Sequence, residues 1–292
     1  MTTQAPGAPT LARTRIELDA ALRPVDRAVV MTMGALHDGH LSLVREARAR
    51  GEQVVVTIFV NPLQFGPTED LDRYPRDLAG DLARLTGPGL LGPGDVVFAP
   101  EPAEVYPDGD PVVRVSAGAI GEVYEGAIRP GHLDGVLTVV LKLMHLTRPS
   151  VALFGRKDVQ QLVAVGRMVR DLDLDVTIVP VPTVRDDDGL ALSSRNAYLS
   201  AEQRPVALGL SRALAAGEQA AARGDGTAAV RAATREVLTA AGVDADYVAL
   251  VDPQTFADLP DDPPQPGSVA VLAVAGRVGG TRLIDNTDVR WA

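Results

Sequence analysis

Residues 28–60 alternate in a way that leaves few folds open. The apolar run Ala28-Val29-Val30 reads as the end of a buried strand, and residues 31–40 (MTMGALHDGH) follow it. Leu41, Leu43, Val44 and Ala47 then recur at helical spacing, with Gly51 marking the helix end. Residues 53–60 (QVVVTIFV) form a continuous β-branched run of the kind covered on both faces. A helix that joins two such strands makes a right-handed crossover, so the strands are expected to lie parallel in an α/β sheet.

A strand, a glycine-containing turn and a helix together present a helix N-terminus to phosphate. His37 and His40 stand three apart across that turn. With the helix starting at Asp38 or Gly39, both imidazoles face one side. Two imidazoles beside a positive helix end suit the oxygens of a triphosphate, and Gly34 and Gly39 let the backbone come close to them. The plain alternative is a histidine that only caps or packs. The pattern resembles the HIGH-type signature of nucleotidyltransferases and class I aminoacyl-tRNA synthetases, which handle ATP and make adenylates.

The charge balance narrows the class. Lys plus Arg is 28 against 38 for Asp plus Glu, a net charge of −10, which argues against a nucleic-acid partner but leaves ATP open, since ATP needs only local donors. With no cysteine, a disulfide, a thiolate nucleophile and a Cys-ligated zinc site are excluded, and a cytoplasmic setting fits. Residues 1–10 (MTTQAPGAPT) have neither the basic nor the apolar region of a signal peptide, and the apolar runs 54–60 and 136–141 are too short to span a bilayer. The expectation is a soluble protein with no membrane partner.

Residues 1–10 read as a disordered tail and 13–22 as a short helix. Asn61 and Gln64 (NPLQFG) fall at the carboxyl end of the second strand, where their amides can read a hydroxyl or carboxylate; an Asn-Pro turn with a solvated Gln is the local alternative. Asp70, Asp72, Arg73, Tyr74 and Arg76 form a polar loop entering a helix at 77–85, with Tyr74 alternatively a packed aromatic. Residues 95–99 read as a strand and 112–115 as an extended segment. Residues 129–132 (RPGH) form a turn before a helix at 135–147; His132 either contacts ligand or caps that helix, and His145 is either solvated or satisfies its C-terminal dipole.

A strand at 150–154, then Gly155-Arg156-Lys157-Asp158, then a helix at 159–172 repeats the logic of the opening stretch. Lys157 offers a cation to phosphate and Asp158 an acceptor to ribose, with Gln161 one turn in; a surface Lys-Asp pair is the alternative. Pro180 and Pro182 make the strand at 175–184 either a sheet edge or the exit from the sheet. After a charged loop at 185–189, residues 190–196 (LALSSRN) place two hydroxyls and a guanidinium together, either as phosphate donors or as a Ser-capped turn. Ser200 to Gln203 is a capping box opening an Ala-rich helix to about residue 222, with Pro205 predicting a kink or a start near Arg204. A helix at 227–241, strands at 247–252 and 268–278 and a Pro-rich loop at 261–267 complete the tail. The expected architecture is a Rossmann-like parallel-sheet domain, 1–183, followed by a smaller α+β domain, 184–292.

Taken together, MTMGALHDGHLSLV, IFVNPLQFGPTEDLDRYPRDL, RPGHLDGVLTVVLKL, FGRKDVQQL, VPTVRDDDGLALSSRNAYLS and TRLIDN resemble the pantothenate synthetase (pantoate–β-alanine ligase) family over nearly the whole chain. The resemblance implies a two-step ligation. Pantoate carboxylate attacks the α-phosphate of Mg²⁺-ATP to give pantoyl adenylate and pyrophosphate; the β-alanine amine then displaces AMP. It implies that Met33, Gly34, Ala35, Leu36, His37, Asp38, Gly39 and His40 line the ATP site, with His40 the proton donor and His37 beside it on the phosphates. Gly155, Arg156, Lys157 and Asp158 match the ribose and phosphate segment, with Lys157 on phosphate. Val184 matches an adenine-side contact, and Leu192, Ser193, Ser194 and Arg195 a mobile phosphate-binding stretch. Gln64 and Gln161 match the pantoate amides, Gln64 also lying near β-alanine, while Asn61, Tyr74, Arg129 and His132 fall in the pantoate region. A homodimer is implied too. Residues 66–76 and the C-terminal domain are expected to act as lids. The Mg²⁺ ligands are unassigned, Asp81 being one conceivable candidate.

The chain departs from the family at Met31 (usually Pro), Arg156, Val159 (usually Tyr) and Gly280 (often Thr); Arg156 is expected to add positive charge beside the phosphates. A cytidylyl- or adenylyltransferase would need a further basic cluster for its second phosphate. A tRNA synthetase would need an anticodon-binding extension. A non-catalytic nucleotide-binding protein of the same fold would be expected to have lost His37, His40, Lys157 or the Ser-Ser-Arg group, and all are present.

Overall fold

The computed structural model describes residues 7–67, 69, 71–261 and 264–292. Residues 1–6 of the expected tail, Asp70 of the polar loop, and Asp262 and Pro263 of the Pro-rich loop lie outside the described residues. The chain divides into two compact units. The first is the chain up to Gly155 with Ala164–Val181, and the second is Arg156–Val163 with Pro182–Ala292.

The first unit is a parallel α/β sheet. Its strands are β1 (Thr10–Ala12), β2 (Arg27–Thr32), β3 (Gln53–Ile58), β4 (Val96–Phe98), β5 (Val151–Gly155) and β6 (Thr177–Val181), in the order β1-β4-β3-β2-β5-β6, with every neighbour parallel. The helices are α1 (Arg15–Ala21), α2 (Asp38–Arg48), α3 (Leu78–Thr86), α4 (Pro102–Val105), α5 (Tyr124–Ile128), α6 (His132–Thr147) and α7 (Val159–Asp171), the last beginning in the second unit. Chain progression reverses at β2, so the carboxyl ends of β2 and β5 mark the switch point where ligands collect in such sheets. Val54, Val55 and Val56 of β3 are fully buried, as a strand covered on both faces requires. Leu41, Leu43, Val44 and Ala47 of α2 pack with Val30, Val54 and Leu153 in one core.

Two expectations change here. Thr10 is not tail: Thr10–Ala12 extends the sheet edge beside β4, with the Thr10 N–H donating to Asp95 O at 2.8 Å. Helix α6 starts at His132, a turn early, because Gly131 takes a left-handed φ of 78° and acts as its N-cap. The Pro-bearing strand β6 does lie at the sheet edge.

The second unit stacks α8 (Gln203–Ala207), α9 (Gly209–Ala222) and α10 (Thr227–Ala240) with an antiparallel sheet, β7 (Asp244–Val251), β8 (Val269–Val278) and β9 (Thr281–Arg290), in the order β7-β8-β9. Leu210, Leu214, Val230, Leu238, Leu250, Leu272 and Trp291 share its core. The capping contacts of Ser200 and Gln203 are present, at 3.0 and 3.3 Å. The first helix starts at Gln203, beside the start expected near Arg204, and the chain breaks at Leu208 instead of kinking at Pro205. Strand β9 is an addition to the expected elements. Among the described residues no helix is long and apolar enough to cross a membrane.

Candidate active site

In the first unit the turn after β2 is braced from three sides. Thr32 Oγ1 donates to Thr57 O at 2.8 Å and accepts the Gly34 N–H at 3.2 Å. Gly34 and Ala35 both take positive φ, 83° and 50°. The alanine there costs on the order of 1 kcal/mol. The offset comes from Asp81 on α3, whose buried carboxylate accepts the Ala35 N–H at 3.1 Å and the Leu36 N–H at 2.7 Å. Burial raises the Asp81 pKa, and the hydrogen bonds from Leu36 and Ala35 pull against it. A Cβ at Gly34 would stand 2.9 Å from Asp81 Oδ2, so glycine is required. Asp81, a conceivable metal ligand from sequence, is occupied as the brace of this turn.

His37 is the N-cap of α2, whose first helical residue is Asp38, one of the two starts expected. The His37 and His40 rings lie 4.1 Å apart, centroid to centroid, so the two imidazoles do share one side. His40 Nδ1 accepts the His37 N–H at 3.3 Å. The neutral His40 ring therefore carries its hydrogen on Nε2, which makes Nε2 the proton-donating atom. Asp38 is exposed, 4.0 Å from Arg84 across an ion pair.

The turn after β3 carries the amides. Asn61 Nδ2 donates to Gln64 Oε1 at 3.1 Å and to Gly135 O at 3.1 Å, and Tyr106 OH donates to Asn61 Oδ1 at 2.8 Å. Gln64 Nε2 reaches Met33 Sδ at 3.0 Å, which ties this turn to the one after β2. Gln64 is thus half-buried and held rather than solvated. Burial raises the Tyr106 phenol pKa and keeps it a donor. Tyr74 packs edge-on against Phe65 at 5.9 Å, the packed-aromatic alternative.

His132 neither caps nor stands free. Its Nδ1 lies 2.8 Å from Gln64 O and its Nε2 lies 2.9 Å from Arg129 Nη1. Arg129 can only donate, so Nε2 accepts and Nδ1 carries the hydrogen. Burial and the Arg129 charge push the His132 pKa down to about 4. Arg129 also forks onto Glu69, at 2.8 and 2.5 Å. Burial pushes Glu69 up, but the Arg129 hydrogen bond and charge outweigh it and leave the carboxyl below its ordinary range.

In the second unit, Arg156–Asp158 form a 3₁₀ turn leading into α7. Lys157 Nζ lies 3.8 Å from Asp158 Oδ1. Arg156 pairs with Asp288 of β9, so its charge is compensated instead of being added for a ligand. Gln161 is half-buried in the first turn of α7. The Leu192 N–H donates to Val184 O at 2.9 Å and closes the charged loop between them. Arg185 forks onto Asp285 at 2.6 and 3.0 Å, while Arg204 reaches Asp186 at 2.6 Å and Asp188 at 2.7 Å. Ser193 Oγ accepts the Arg195 N–H at 3.3 Å and caps the 3₁₀ turn Ser194–Tyr198, a contact that uses the oxygen and not the hydroxyl hydrogen.

Sequence reasoning did not single out Tyr106, Glu69, Asp285 or Asn286. Each acts through a partner distant in the chain, and only Asp81, an acid among the apolar positions of α3, carries a local signal.

A family model for pantoate–β-alanine ligases matches residues 10–288. The chain belongs to that family. It is 60% identical over 268 residues to pantothenate synthetase 4 of Frankia alni, covering 91% of this chain and 83% of that one. It is 55% identical over 289 residues to the pantothenate synthetase of Thermobifida fusca, covering 95% of each. The crystal structure of pantothenate synthetase from Thermus thermophilus superposes with a TM-score of 0.88 at 48% identity, covering 95% of this chain and 98% of that one. A pantoate–β-alanine ligase from Francisella tularensis, solved in complex with β,γ-ATP and β-alanine, superposes with a TM-score of 0.77 at 31% identity, covering 96% and 97%. Like the family it belongs to, this chain is an enzyme that ligates pantoate to β-alanine.

Proposed function

We propose that the ligation runs through a pantoyl adenylate formed from Mg²⁺-ATP. A pantoate carboxylate oxygen bonds to the α-phosphorus, the bond to the β-phosphate breaks, and pyrophosphate leaves. The β-alanine amine then bonds to the acyl carbon, the bond to AMP breaks, and the amine loses a proton. Catalysis here rests on positioning and on charge neutralised at the phosphates, with no covalent enzyme nucleophile. The observation that carries the reading is the His37–His40 pair at the N-terminus of α2, with His40 Nδ1 occupied by a backbone N–H and its Nε2–H as the donor.

In this reading the residues from Met33 to His40 meet the triphosphate, and His40 Nε2–H stabilises charge on the departing phosphate oxygens. Gly155, Arg156 and Asp158 serve the ribose and phosphate through their backbone and carboxylate. Lys157 supplies the cation, Val184 an adenine contact, and Ser193, Ser194 and Arg195, on the stretch that opens at Leu192, further phosphate donors. Gln64 and Gln161 orient pantoate, and Gln64 also serves β-alanine. Mg²⁺ enters as part of the nucleotide. We propose further that the enzyme is a cytoplasmic homodimer; a monomer mass in sedimentation at micromolar protein would contradict the dimer.

The test is AMP and pyrophosphate release from Mg²⁺-ATP and (R)-pantoate, with and without β-alanine. Sustained release that needs both acids and falls about 10²-fold or more in His40→Ala supports the reading. Intact ATP under every condition would sink it in favour of a nucleotide-binding protein.

A further inference from the structure

The TRLIDN stretch carries part of the family resemblance but no role in the reaction. It lies in β9, an edge strand that pairs with β8 alone among the described residues. An edge strand that simply packs would alternate buried and exposed residues. Here Asp285 and Asn286 are consecutive, polar and both buried, 3% and 5% exposed. Two adjacent buried polar side chains are costly unless each is fully employed.

Their employment is specific. Asn286 Nδ2 donates to Arg156 O at 2.9 Å and to Lys157 O at 2.8 Å, gripping the two carbonyls that open the 3₁₀ turn before α7. Asp288, two residues on and therefore on the same face of the strand, pairs with Arg156 of that turn. Asp285, on the other face, accepts both arms of Arg185, the residue between Val184 and the loop closed at Leu192. One short piece of strand thus holds both segments of this unit that carry candidate nucleotide contacts.

We propose that Asn286 is a positioning residue for the nucleotide: its amide fixes the two peptide planes from which Lys157 projects, and Asp285 does the same through Arg185 for the stretch that leads to Ser193, Ser194 and Arg195. The inference rests on the reading of these segments as ATP-binding. The chemistry at position 286 is restrictive. Two carbonyl oxygens require a side chain with two N–H donors on one atom. An aspartate of the same shape would set a carboxylate oxygen against them.

The experiment uses the full-length enzyme with Asn286→Asp, Asn286→Ala, Lys157→Ala and, as a control in the same strand, Leu283→Ala. Steady-state kinetics with each substrate varied in turn are read beside thermal melting and calorimetric binding of a non-hydrolysable ATP analogue. Asn286→Asp is expected to raise the KM for ATP at least tenfold and leave those for pantoate and β-alanine within about twofold. Asn286→Ala is expected to move it in the same direction by less, which keeps the test alive if the aspartate variant does not fold. In a Lys157→Ala background the Asn286 substitution should add less than about threefold to the loss of analogue binding, because its route through Lys157 is already gone. Leu283→Ala should lower the melting temperature with the KM for ATP unchanged. Asn286 variants that melt early like Leu283→Ala but keep the wild-type KM for ATP would overturn the proposal while Lys157→Ala still loses binding. Full analogue binding by Lys157→Ala would overturn the nucleotide reading of the turn, and the proposal with it.

Discussion

Gly135 sits in α6 with its backbone pressed against the turn that carries Gln64. A Cβ placed there would stand 2.2 Å from Leu63 O and 2.8 Å from Gln64 N, and neither is a flexible side-chain tip. Relief to ordinary van der Waals separation moves the 62–64 turn by roughly 1 Å, since carbon contacts settle near 3.5 Å. The turn cannot absorb this silently, because Asn61 bonds both Gly135 O and Gln64 Oε1, each at 3.1 Å. Gly135→Ala should therefore cost about 10²-fold in kcat/KM for pantoate, about 2.7 kcal/mol of transition-state stabilisation. Overpacking of this kind also costs about 1–3 kcal/mol of stability, a fall in Tm of roughly 2–10 °C for a chain of this size. The assay is AMP release with pantoate varied at saturating ATP and β-alanine, alongside thermal melting. Gly166→Ala in α7, where nothing lies within 4 Å of the new Cβ, is the control and should be near neutral. A folded Gly135→Ala enzyme with wild-type kcat/KM for pantoate would refute the placement of Gln64 as a substrate-orienting residue.

Two further outcomes follow from the same site. The His132 pKa is pushed from its ordinary 6.5 down to about 4. Below pH 6.5 the unfolded chain takes up a proton that the folded one refuses, so His132 makes stability fall as pH drops towards 4, by about 2 kcal/mol at pH 5. Urea unfolding at pH 7 and pH 5 should show a smaller acid loss in His132→Gln than in wild type, and equal losses would contradict the assignment. Asp81→Ala would strip the acceptors from the Ala35 and Leu36 N–H groups, leaving buried donors and a left-handed alanine without its brace; a loss of about 2–4 kcal/mol in stability and a raised KM for ATP are expected, and an unchanged KM would separate the brace from nucleotide binding.

The parts of the fold that were legible in sequence are those where one physical cause acts locally. The 53–60 run is β-branched because β3 is buried on both faces, and Pro180 and Pro182 confine β6 to an edge. Strand β1 is three residues long and draws its pairing from β4, more than eighty residues away, so no window over 1–12 could display it. Strand β9 hides because the buried pair Asp285-Asn286 breaks the alternation that marks a strand. The helix break at Leu208 follows from packing: a Cβ at Gly209 would meet Ala241 Cβ at 2.5 Å, so the chain approaches the end of α10 more closely than Pro205 alone suggests. At the site, the motif turns could be read from glycine, histidine and amide spacing. What those side chains hold could not, because Asp81, Tyr106 and Asn286 reach partners 45 or more positions away. Arg156 shows the same limit, its charge being taken up by Asp288.

The central claim is that the pantoate carboxylate itself attacks the α-phosphate. Pantoate labelled with ¹⁸O in both carboxylate oxygens would be turned over with Mg²⁺-ATP and β-alanine in ordinary water, and the AMP weighed by mass spectrometry. The adenylate route predicts one ¹⁸O in every AMP phosphate and one left in the amide carbonyl of the product. AMP without label would contradict it, since no oxygen would then have passed from pantoate to phosphorus.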